Sequence, residues 1–312
     1  MTVERRVLMI GLGTIARTHL AVLAELPGVT VVGSVDPAAP PLDLPVFRTL
    51  DEALGAGPAP DLVTVATPTD THLALVRELV DRTDALVLSE KPLGVAAADI
   101  ASVADVADRV RVAHHFAFSP EVEWALAHVR TGRWGRPTRV TSRFNDAYAR
   151  LGDARLASYV SSWVDSGPNQ VSLLEPFTGS FDVVSHADER VRSVTVLDHE
   201  GGRTLLTSNW MAGDSSKQTT LEYAGDRHLH LDHTAMTAVV VEDGRVTEHV
   251  GYAGTAGRKH AHYRGLYEAL VANPDDERLG VALAADIARV LEAAASAPAV
   301  APRWSSIGVA PA

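Results

Sequence analysis

Short apolar runs alternate with amphipathic patterns over the first third of the chain. The strand-like runs lie at 7–10, 29–36, 62–66, 85–89 and 110–114. Between them, apolar residues recur three and four positions apart at 15–23, 72–80 and 96–107, which is typical of helices. This alternation predicts an α/β domain, with a parallel sheet covered by helices on both faces.

The remainder of the chain has a different pattern, in which several strands follow one another. A helical pattern at 120–129 precedes strand-like runs at 138–144, 193–197, 204–210, 219–223 and 238–241, and helical patterns at 263–271 and 281–294 follow. Because 312 residues are enough for two cores, we predict two domains, 1–118 and 119–312.

Composition excludes several classes of function. The net charge of -11 and the absence of Lys/Arg runs argue against nucleic acid as a partner. No segment is apolar over a membrane's thickness, and a glycine interrupts the N-terminal apolar run within five residues, so we expect a cytoplasmic protein. There is no cysteine, hence no disulfide or thiolate chemistry.

The first strand leads into the turn GLGTIA, which begins the first helix. There Gly11 permits a tight turn, Gly13 lets backbone approach a pyrophosphate, and Ala16 allows close packing of helix on strand. We expect this turn, with Thr14 and Ile15, to bind a dinucleotide.

Asp36 ends the second strand, where a carboxylate would accept hydrogen bonds from the adenosine ribose. A turn-forming Asp before Pro37 is the alternative interpretation. Since the following PAAPPLDLP has no Arg or Lys for a 2′-phosphate, the sequence favours NAD, with NADP as the second choice.

Two loops directly after strands, TPTDTH and SEKPLG, should border the nicotinamide, because dinucleotides bind where parallel strands end. We assign Thr67, Pro68 and Glu90 to cofactor binding. His72 joins them, although it also suits packing in a first helical turn. Lys91 can do chemistry if burial and an oxidised nicotinamide lower its pKa; otherwise it is a surface lysine paired with Glu90.

The stretch VDSGPNQ places Asp165 and Asn169 four positions apart as an apolar run begins. Residues of this kind beside Gly and Pro commonly cap a helix. They could also face a substrate, but this stretch alone favours capping.

Taken in order, the glycine turn, TPTDTH, Glu90-Lys91-Pro92 and DSGPN resemble the Gfo/Idh/MocA oxidoreductase family (glucose-fructose oxidoreductase, inositol dehydrogenase and MocA) over nearly the whole chain. The resemblance implies a Rossmann domain followed by an α/β domain with a large, open, mostly antiparallel sheet. It also implies a homo-oligomer formed through that sheet.

Most of the family has Asp-x-Gly-x-His with a later Asp, whereas this chain has Asn169 and Ser172 at those positions. An amide does not titrate, so Asn169 cannot be a general base. The variant resembles the bacterial aldose 1-dehydrogenase branch, in which this Asp and Asn are the catalytic pair. By that likeness Asp165 and Asn169 face the substrate.

The resemblance implies hydride transfer between a sugar carbon and NAD(P). We expect Asp165 as base, Lys91 as donor to the developing oxyanion and Asn169 as orienting group; Lys91 as base is the alternative. Substrate candidates chosen by position are His115, Arg155, Tyr159, Trp163 and His262. Core packing is the alternative for His115 and Trp163, and a surface position at a helix start for His262.

No metal site is expected. His228, His230 and Asp232 share one face of HLHLDH, but the alternating leucines indicate an amphipathic strand. The substrate is expected to be a small sugar or polyol, and the first hypothesis is C1 oxidation of an aldose to its lactone. A dehydrogenase or ketoreductase for a ring secondary alcohol of a cyclitol, glycoside or nucleotide-linked sugar is the second, and a non-catalytic NAD(P)-binding sensor is the third.

Overall fold

A computed structural model describes residues 4–38, 41–131, 134–151, 160–252 and 257–299. The N-terminal sheet has strands β1 (Arg5–Ile10), β2 (Val29–Val35), β3 (Val46–Phe47), β4 (Leu62–Val65), β5 (Leu86–Glu90) and β6 (Val110–Ala113). Its order is β3-β2-β1-β4-β5-β6 and every pair is parallel. The predicted Rossmann sheet is therefore confirmed, with β3 as a strand too short for its pattern to show.

Four helices accompany this sheet: α1 (Ala16–Glu25), α2 (Leu50–Ala56), α3 (His72–Arg82) and α4 (Ala97–Ala101). The continuous helix predicted at 96–107 is wrong in one respect. After α4 the backbone changes to a 3-10 segment, Ala104–Arg109, that contains non-helical torsion angles at Val106. A β-branched residue is restricted in a helix, and this short connection ends where β6 must begin.

The second sheet contains eight strands: β7 (Arg139–Asn145), β8 (Phe181–Asp188), β9 (Arg192–His199), β10 (Gly202–Asn209), β11 (Ser216–Tyr223), β12 (Arg227–Asp232), β13 (Thr237–Glu242) and β14 (Arg245–Gly251). They lie in the order β14-β13-β12-β11-β7-β10-β9-β8. All neighbours are antiparallel except β7 and β10. The expected large, mostly antiparallel sheet is confirmed.

Four further helices are α5 (Pro120–Val129), α6 (Ser162–Thr178), α7 (Arg258–Ala272) and α8 (Val281–Ser296). Helices α5 and α6 pack on one face of the second sheet, where Trp163, Leu173 and Phe177 belong to its core. In β12, Leu229 and Leu231 are buried in that core. HLHLDH is therefore an amphipathic strand, as predicted.

The two C-terminal helices return to the Rossmann sheet. From α7, Tyr263, Leu266 and Tyr267 share a core with Val7 and Leu23. From α8, Val281 and Ala284 join the core around β4 and β5. The two sheets lie on either side of residue 118 in the chain, but the C-terminal helices α7 and α8 contribute to the cores of the first sheet. The domain boundary at residue 118 therefore stays a prediction. No helix among the described residues is long and apolar enough to cross a membrane.

Candidate active site

The glycine turn after β1 is shaped for a phosphate-bearing ligand. Gly11 has φ +88°, and a Cβ there would lie 2.7 Å from the carbonyl oxygen of Ala66 on β4. At Gly13, by contrast, a Cβ would meet nothing within 4 Å. The chain thus needs Gly11 for its own folding, while the free space at Gly13 lets a ligand approach the backbone.

Asp36 closes the other side of this turn. Its carboxylate accepts hydrogen bonds from the backbone N–H groups of Leu12 and Ala38, both at 2.8 Å. Each oxygen keeps a lone pair for a ribose hydroxyl. Asp36 therefore orders the turn whether or not a nucleotide is bound, and the turn-forming role and the ribose role are compatible.

A cleft of about 860 Å³ joins these elements. It is lined by residues 10–15 of the turn, by Asp36, and by Thr67 and Pro68 after β4. Arg48, which follows β3, lines the same cleft, and its guanidinium donates to the Pro37 carbonyl at 3.4 Å. The segment next to Asp36, which favours NAD, contains no Arg or Lys, and Arg48 reaches the cleft from a neighbouring strand that this segment does not include.

The open backbone at Gly13, the carboxylate of Asp36 and the volume of the cleft fit a dinucleotide. His72 connects the two loops that end β4 and β5, since its ring nitrogens lie 2.9 Å from the Thr67 carbonyl oxygen and 2.8 Å from that of Pro92. A neutral imidazole has one N–H and can donate to only one of these carbonyls at a time. His72 is buried and joins the two loops, but it does not itself line the cleft.

Glu90 belongs to a buried hydrogen-bond network rather than to a surface pair with Lys91. One carboxylate oxygen accepts from the Tyr263 hydroxyl at 2.5 Å and lies 2.9 Å from His19 Nε2. Burial by itself would raise the pKa of Glu90, but the bonds with His19 and Tyr263 and the charge of Lys91 hold it below its usual value. The network fixes the end of β5, and with it Lys91.

Lys91 meets Asp165 across the boundary between the two sheets. Lys91 Nζ lies 3.6 Å from Asp165 Oδ1 and donates to the main-chain carbonyl of Asp165 at 3.3 Å. The two side chains are 16% and 25% exposed, so solvent screens the pair only partly. The predicted pair is thus brought together by the end of β5 and the first turn of α6.

Asp165 and Asn169 do not cap α6. Its N-cap is Ser161, whose hydroxyl accepts from the Val164 N–H at 3.3 Å. Asp165 and Asn169 lie inside the helix one turn apart, and Asn169 Nδ2 donates to the Asp165 carbonyl at 3.2 Å. The capping interpretation of this stretch is therefore wrong; the helix begins four residues earlier than the Gly-Pro signal indicated.

Three residues that sequence reasoning missed surround Asp165. The Tyr148 hydroxyl donates to Asp165 Oδ2 at 3.4 Å. Lys217 forms a buried ion pair with Asp146 at 2.5 Å, and burial lowers the pKa of Lys217 while the Asp146 and Asp165 carboxylates oppose that shift. No motif marks these residues, because the second sheet assembles them from distant segments.

The remaining substrate candidates are distributed unevenly. His115 and His262 are buried, and their Nδ1 atoms lie 3.3 Å apart. The interpretation of His262 as a surface residue is wrong, because α7 turns this face toward the interior. Trp163 is buried beside His186 on the side of α6 that contacts the core, and the structure does not bring it to Lys91. Arg155 and Tyr159 lie outside the described residues.

Within the described ranges, no group of three or more His, Asp or Glu residues could hold a metal ion. The cleft for a dinucleotide and the Lys91–Asp165 pair define a protein of the Rossmann dehydrogenase class.

Comparison with known proteins gives a family match for the first part of the chain. Residues 5–118 match the Gfo/Idh/MocA model, the oxidoreductase family with an NAD-binding Rossmann fold. This match agrees with the family resemblance of the sequence and confirms the NAD-binding prediction.

A curated relative and solved structures are also similar to this chain. The chain is 28% identical over 181 residues to the rhizopine catabolism protein MocA of Rhizobium meliloti, a match that spans 55% of this chain and 56% of MocA, so about half of each protein. Myo-inositol dehydrogenase from Corynebacterium glutamicum superposes with a TM-score of 0.77 at 16% identity, covering 95% of this chain and 97% of that one.

GenD2 from gentamicin A biosynthesis, solved in complex with NAD, has a TM-score of 0.75 at 20% identity and covers 95% of both chains. These structures establish the common fold.

Proposed function

We propose that the protein is an NAD-dependent oxidoreductase that transfers hydride from a hydroxyl-bearing carbon of a sugar or polyol. The observation that carries this proposal is the Lys91–Asp165 pair, which the two domains place together at the end of β5. Bound NAD supplies the hydride acceptor, and the protein supplies positions and charges.

Asp165 is the proposed base. Its carboxylate takes the hydroxyl proton as the substrate's C–O bond becomes a carbonyl, and the ammonium group of Lys91 donates a hydrogen bond to the oxygen that gains charge. Tyr148 OH, 3.4 Å from Asp165 Oδ2, holds the carboxylate in place. The reverse assignment, with neutral Lys91 as base and Asp165 beside it, uses the same geometry.

For the substrate, we propose an aldose oxidised at C1 to its lactone. The Asp-x-Gly-x-Asn pattern at 165–169 supports this proposal, because Asn169 replaces a titratable group with an amide that can only orient a hydroxyl. A ring secondary alcohol of a cyclitol or a modified sugar is the second candidate, favoured by the fold shared with a myo-inositol dehydrogenase. A sensor without catalysis is the third, and only the absent histidine favours it.

The decisive experiment follows absorbance at about 340 nm, where the reduced nicotinamide absorbs, with NAD or NADP and a panel of free aldoses and inositols. Asp165→Asn should abolish turnover, and Asp182→Asn, which alters an exposed carboxylate on β8, should not. Turnover of an aldose supports lactone formation, and turnover of inositols alone supports the second candidate. Cofactor binding without turnover of any member of the panel contradicts the aldose and cyclitol hypotheses and leaves a modified sugar or a sensor.

We also propose that copies of the chain associate through the open face of the second sheet. That face carries side chains such as Thr141, Arg143 and Leu205, which are half-buried or exposed and which no helix in the described part of the chain covers. Light scattering on the wild type and Leu205→Arg tests the proposal: the wild type should be oligomeric and the variant smaller. A wild type that is monomeric at micromolar concentration would overturn it.

A further inference from the structure

Arg258, the first residue of α7, differs from the other cations of low exposure. Its Nη1 atom is buried and has no hydrogen-bond partner, and among the described residues nothing accepts a hydrogen bond or forms an ion pair with this guanidinium. Arg111 and Arg278, in contrast, pair with Asp275 and Asp276, both at 2.7 Å. A buried guanidinium nitrogen without a partner, such as Nη1 of Arg258, is costly to the free protein, and such groups commonly serve a ligand.

The guanidinium of Arg258 lies over the ring of Phe116, 5.3 Å from its centroid. Phe116 contacts Phe144 at a centroid distance of 5.0 Å, and Lys217 Nζ lies 5.1 Å from the centre of that second ring. Each of these two neighbouring aromatic rings thus has a cationic side chain over its face. Asp146 neutralises Lys217, whereas Arg258 has no such counter-ion in contact.

The acidic groups that act on the charge of Arg258 form no ion pair with it. Glu121 Oε1 accepts a hydrogen bond from Ser119 at 2.6 Å and lies 2.8 Å from His233 Nδ1, whereas Glu121 Oε2 is buried without a hydrogen-bond partner among the described residues. Burial lowers the pKa of Arg258, and the more distant Asp146 and Glu121 carboxylates counteract this only in part. Burial also holds the pKa values of His115 and His262 well below their usual value, so both stay neutral at pH 7.

Contacts connect Arg258 with the Lys91–Asp165 pair. His262, one turn after Arg258, contacts His115, and Phe116 follows His115 in the chain. Lys217 interacts electrostatically with both Asp165 and Arg258, and His115 with both Lys91 and Arg258. Arg258 therefore lies near the Lys91–Asp165 pair, and it does not line the cofactor cleft.

We propose that Arg258 binds a carboxylate carried by the substrate, so that the molecule oxidised is an acidic sugar or polyhydroxy acid. This inference rests on the proposed function and narrows it to one substrate class. A guanidinium presents paired N–H donors that match a carboxylate, and the Phe116 ring beneath keeps its plane oriented. A phosphate group would need a second free cation, and Lys217 is committed to Asp146.

Two readouts separate this inference from the proposed function. The function is tested by NADH formation on any sugar. The inference is tested by calorimetric binding to the NADH complex, comparing D-glucuronate and D-galacturonate with D-glucose and D-galactose, in wild type, Arg258→Met and Arg258→Lys. Arg264→Met, on the same helix but exposed and paired with Glu268, is the matched control.

We expect the acids to bind at least about tenfold more tightly than the neutral sugars, which is the scale of one charge-assisted contact. Arg258→Met should abolish this preference, Arg258→Lys should keep part of it, and Arg264→Met all of it. Equal affinity for acids and neutral sugars, no binding of any acid, or a preference for glucose 6-phosphate would each overturn the inference. Turnover of a neutral sugar would leave the proposed function standing in every one of these cases.

Discussion

Asn169 Nδ2 donates to the main-chain carbonyl of Asp165, and Lys91 Nζ donates to the same oxygen. Because a carbonyl oxygen can only accept, the Asn169 amide must turn its nitrogen toward the helix. Asn169 Oδ1 is then left buried, without a partner among the described residues. The main-chain oxygen of Asp165 therefore holds both of the other side chains proposed to act on the substrate with Asp165.

The first prediction concerns this amide. Asn169→Ala should lower kcat/KM by about tenfold or more, because one positioning hydrogen bond to substrate is lost, at a cost of about 1–2 kcal/mol. Ser172→Ala is the matched control, since its hydroxyl donates to the Asn169 carbonyl and is fully buried. Equal losses in the two variants would indicate that Asn169 acts only on the helix.

The second prediction concerns the coupling of Lys91 and Asp165. Lys91→Met and Asp165→Asn should each reduce kcat by about 100-fold or more, and the double variant should lose little beyond either single change, because the two groups act as a unit. Initial rates for all four proteins give the coupling energy. Strictly additive losses would mean that the two groups act independently.

The third prediction compares the two glycines of the first turn. Gly11→Ala should reduce stability by about 2–4 kcal/mol, because a side chain is strained at φ +88° and its Cβ would overlap the Ala66 carbonyl. Gly13→Ala should leave the melting temperature nearly unchanged and weaken NAD binding, since its Cβ would enter space open to the ligand. Thermal melts and NADH fluorescence titrations measure both effects.

The fourth prediction concerns Asp36 and Arg48, which should favour different cofactors: the carboxylate favours NAD and the guanidinium favours NADP. Asp36→Ser should lower kcat/KM for NAD by about tenfold and raise it for NADP, because the carboxylate that repels a 2′-phosphate is removed while Arg48 remains in the cleft. Arg48→Met in that background should remove the gain. If Asp36→Ser loses both cofactors equally, its bonds to Leu12 and Ala38 matter more than its charge.

The fifth prediction is a dependence of stability on pH that arises at Glu175. Burial and the neighbouring Asp286 carboxylate raise its pKa from the ordinary 4.5 to about 7. The folded chain therefore binds more protons than the unfolded chain between these values, and stability falls as pH rises from about 4.5 to about 7. Glu175→Gln should be more stable than wild type at pH 8, by about 2 kcal/mol, and equal to it near pH 4.

Chemical denaturation of wild type and Glu175→Gln at pH 4, 6 and 8 measures this difference. Glu292→Gln, on the same α8 helix as Asp286, is the control, because this change should not increase the free energy of unfolding at pH 8. A constant difference across all three pH values would contradict a titrating Glu175.

The features that depend on a local sequence pattern could be predicted from the sequence. The glycine turn, the strand ends and the position of Lys91 follow from spacing along one segment, and the Rossmann sheet followed from them. The structure supplied what depends on distant pairing. Arg48, Tyr148, Lys217 and Arg258 carry no motif and reach the site only after the strands are ordered.

Two errors have the same origin. The Gly and Pro near Asp165 and Asn169 indicate a helix start, yet α6 continues through Gly167 and Pro168, and a Cβ at Gly167 would lie 2.7 Å from the Trp163 ring. His262 was placed at the surface because its segment begins a helix, but α7 is covered by the Rossmann domain. Local signals identify helix-breaking residues; they do not identify the neighbours that compensate for them.

The return of α7 to the first sheet has a consequence for biosynthesis. Tyr263 and Tyr267 complete the core around Val7 and Leu23, and their hydroxyls bond to Glu90 and His19. While the ribosome is still translating the second domain, the N-terminal sheet therefore lacks part of its interior and leaves Glu90 without the tyrosine. The N-terminal domain is thus synthesised first but completes its core only when α7 has been synthesised. Until then, the nascent chain exposes apolar surface that could aggregate.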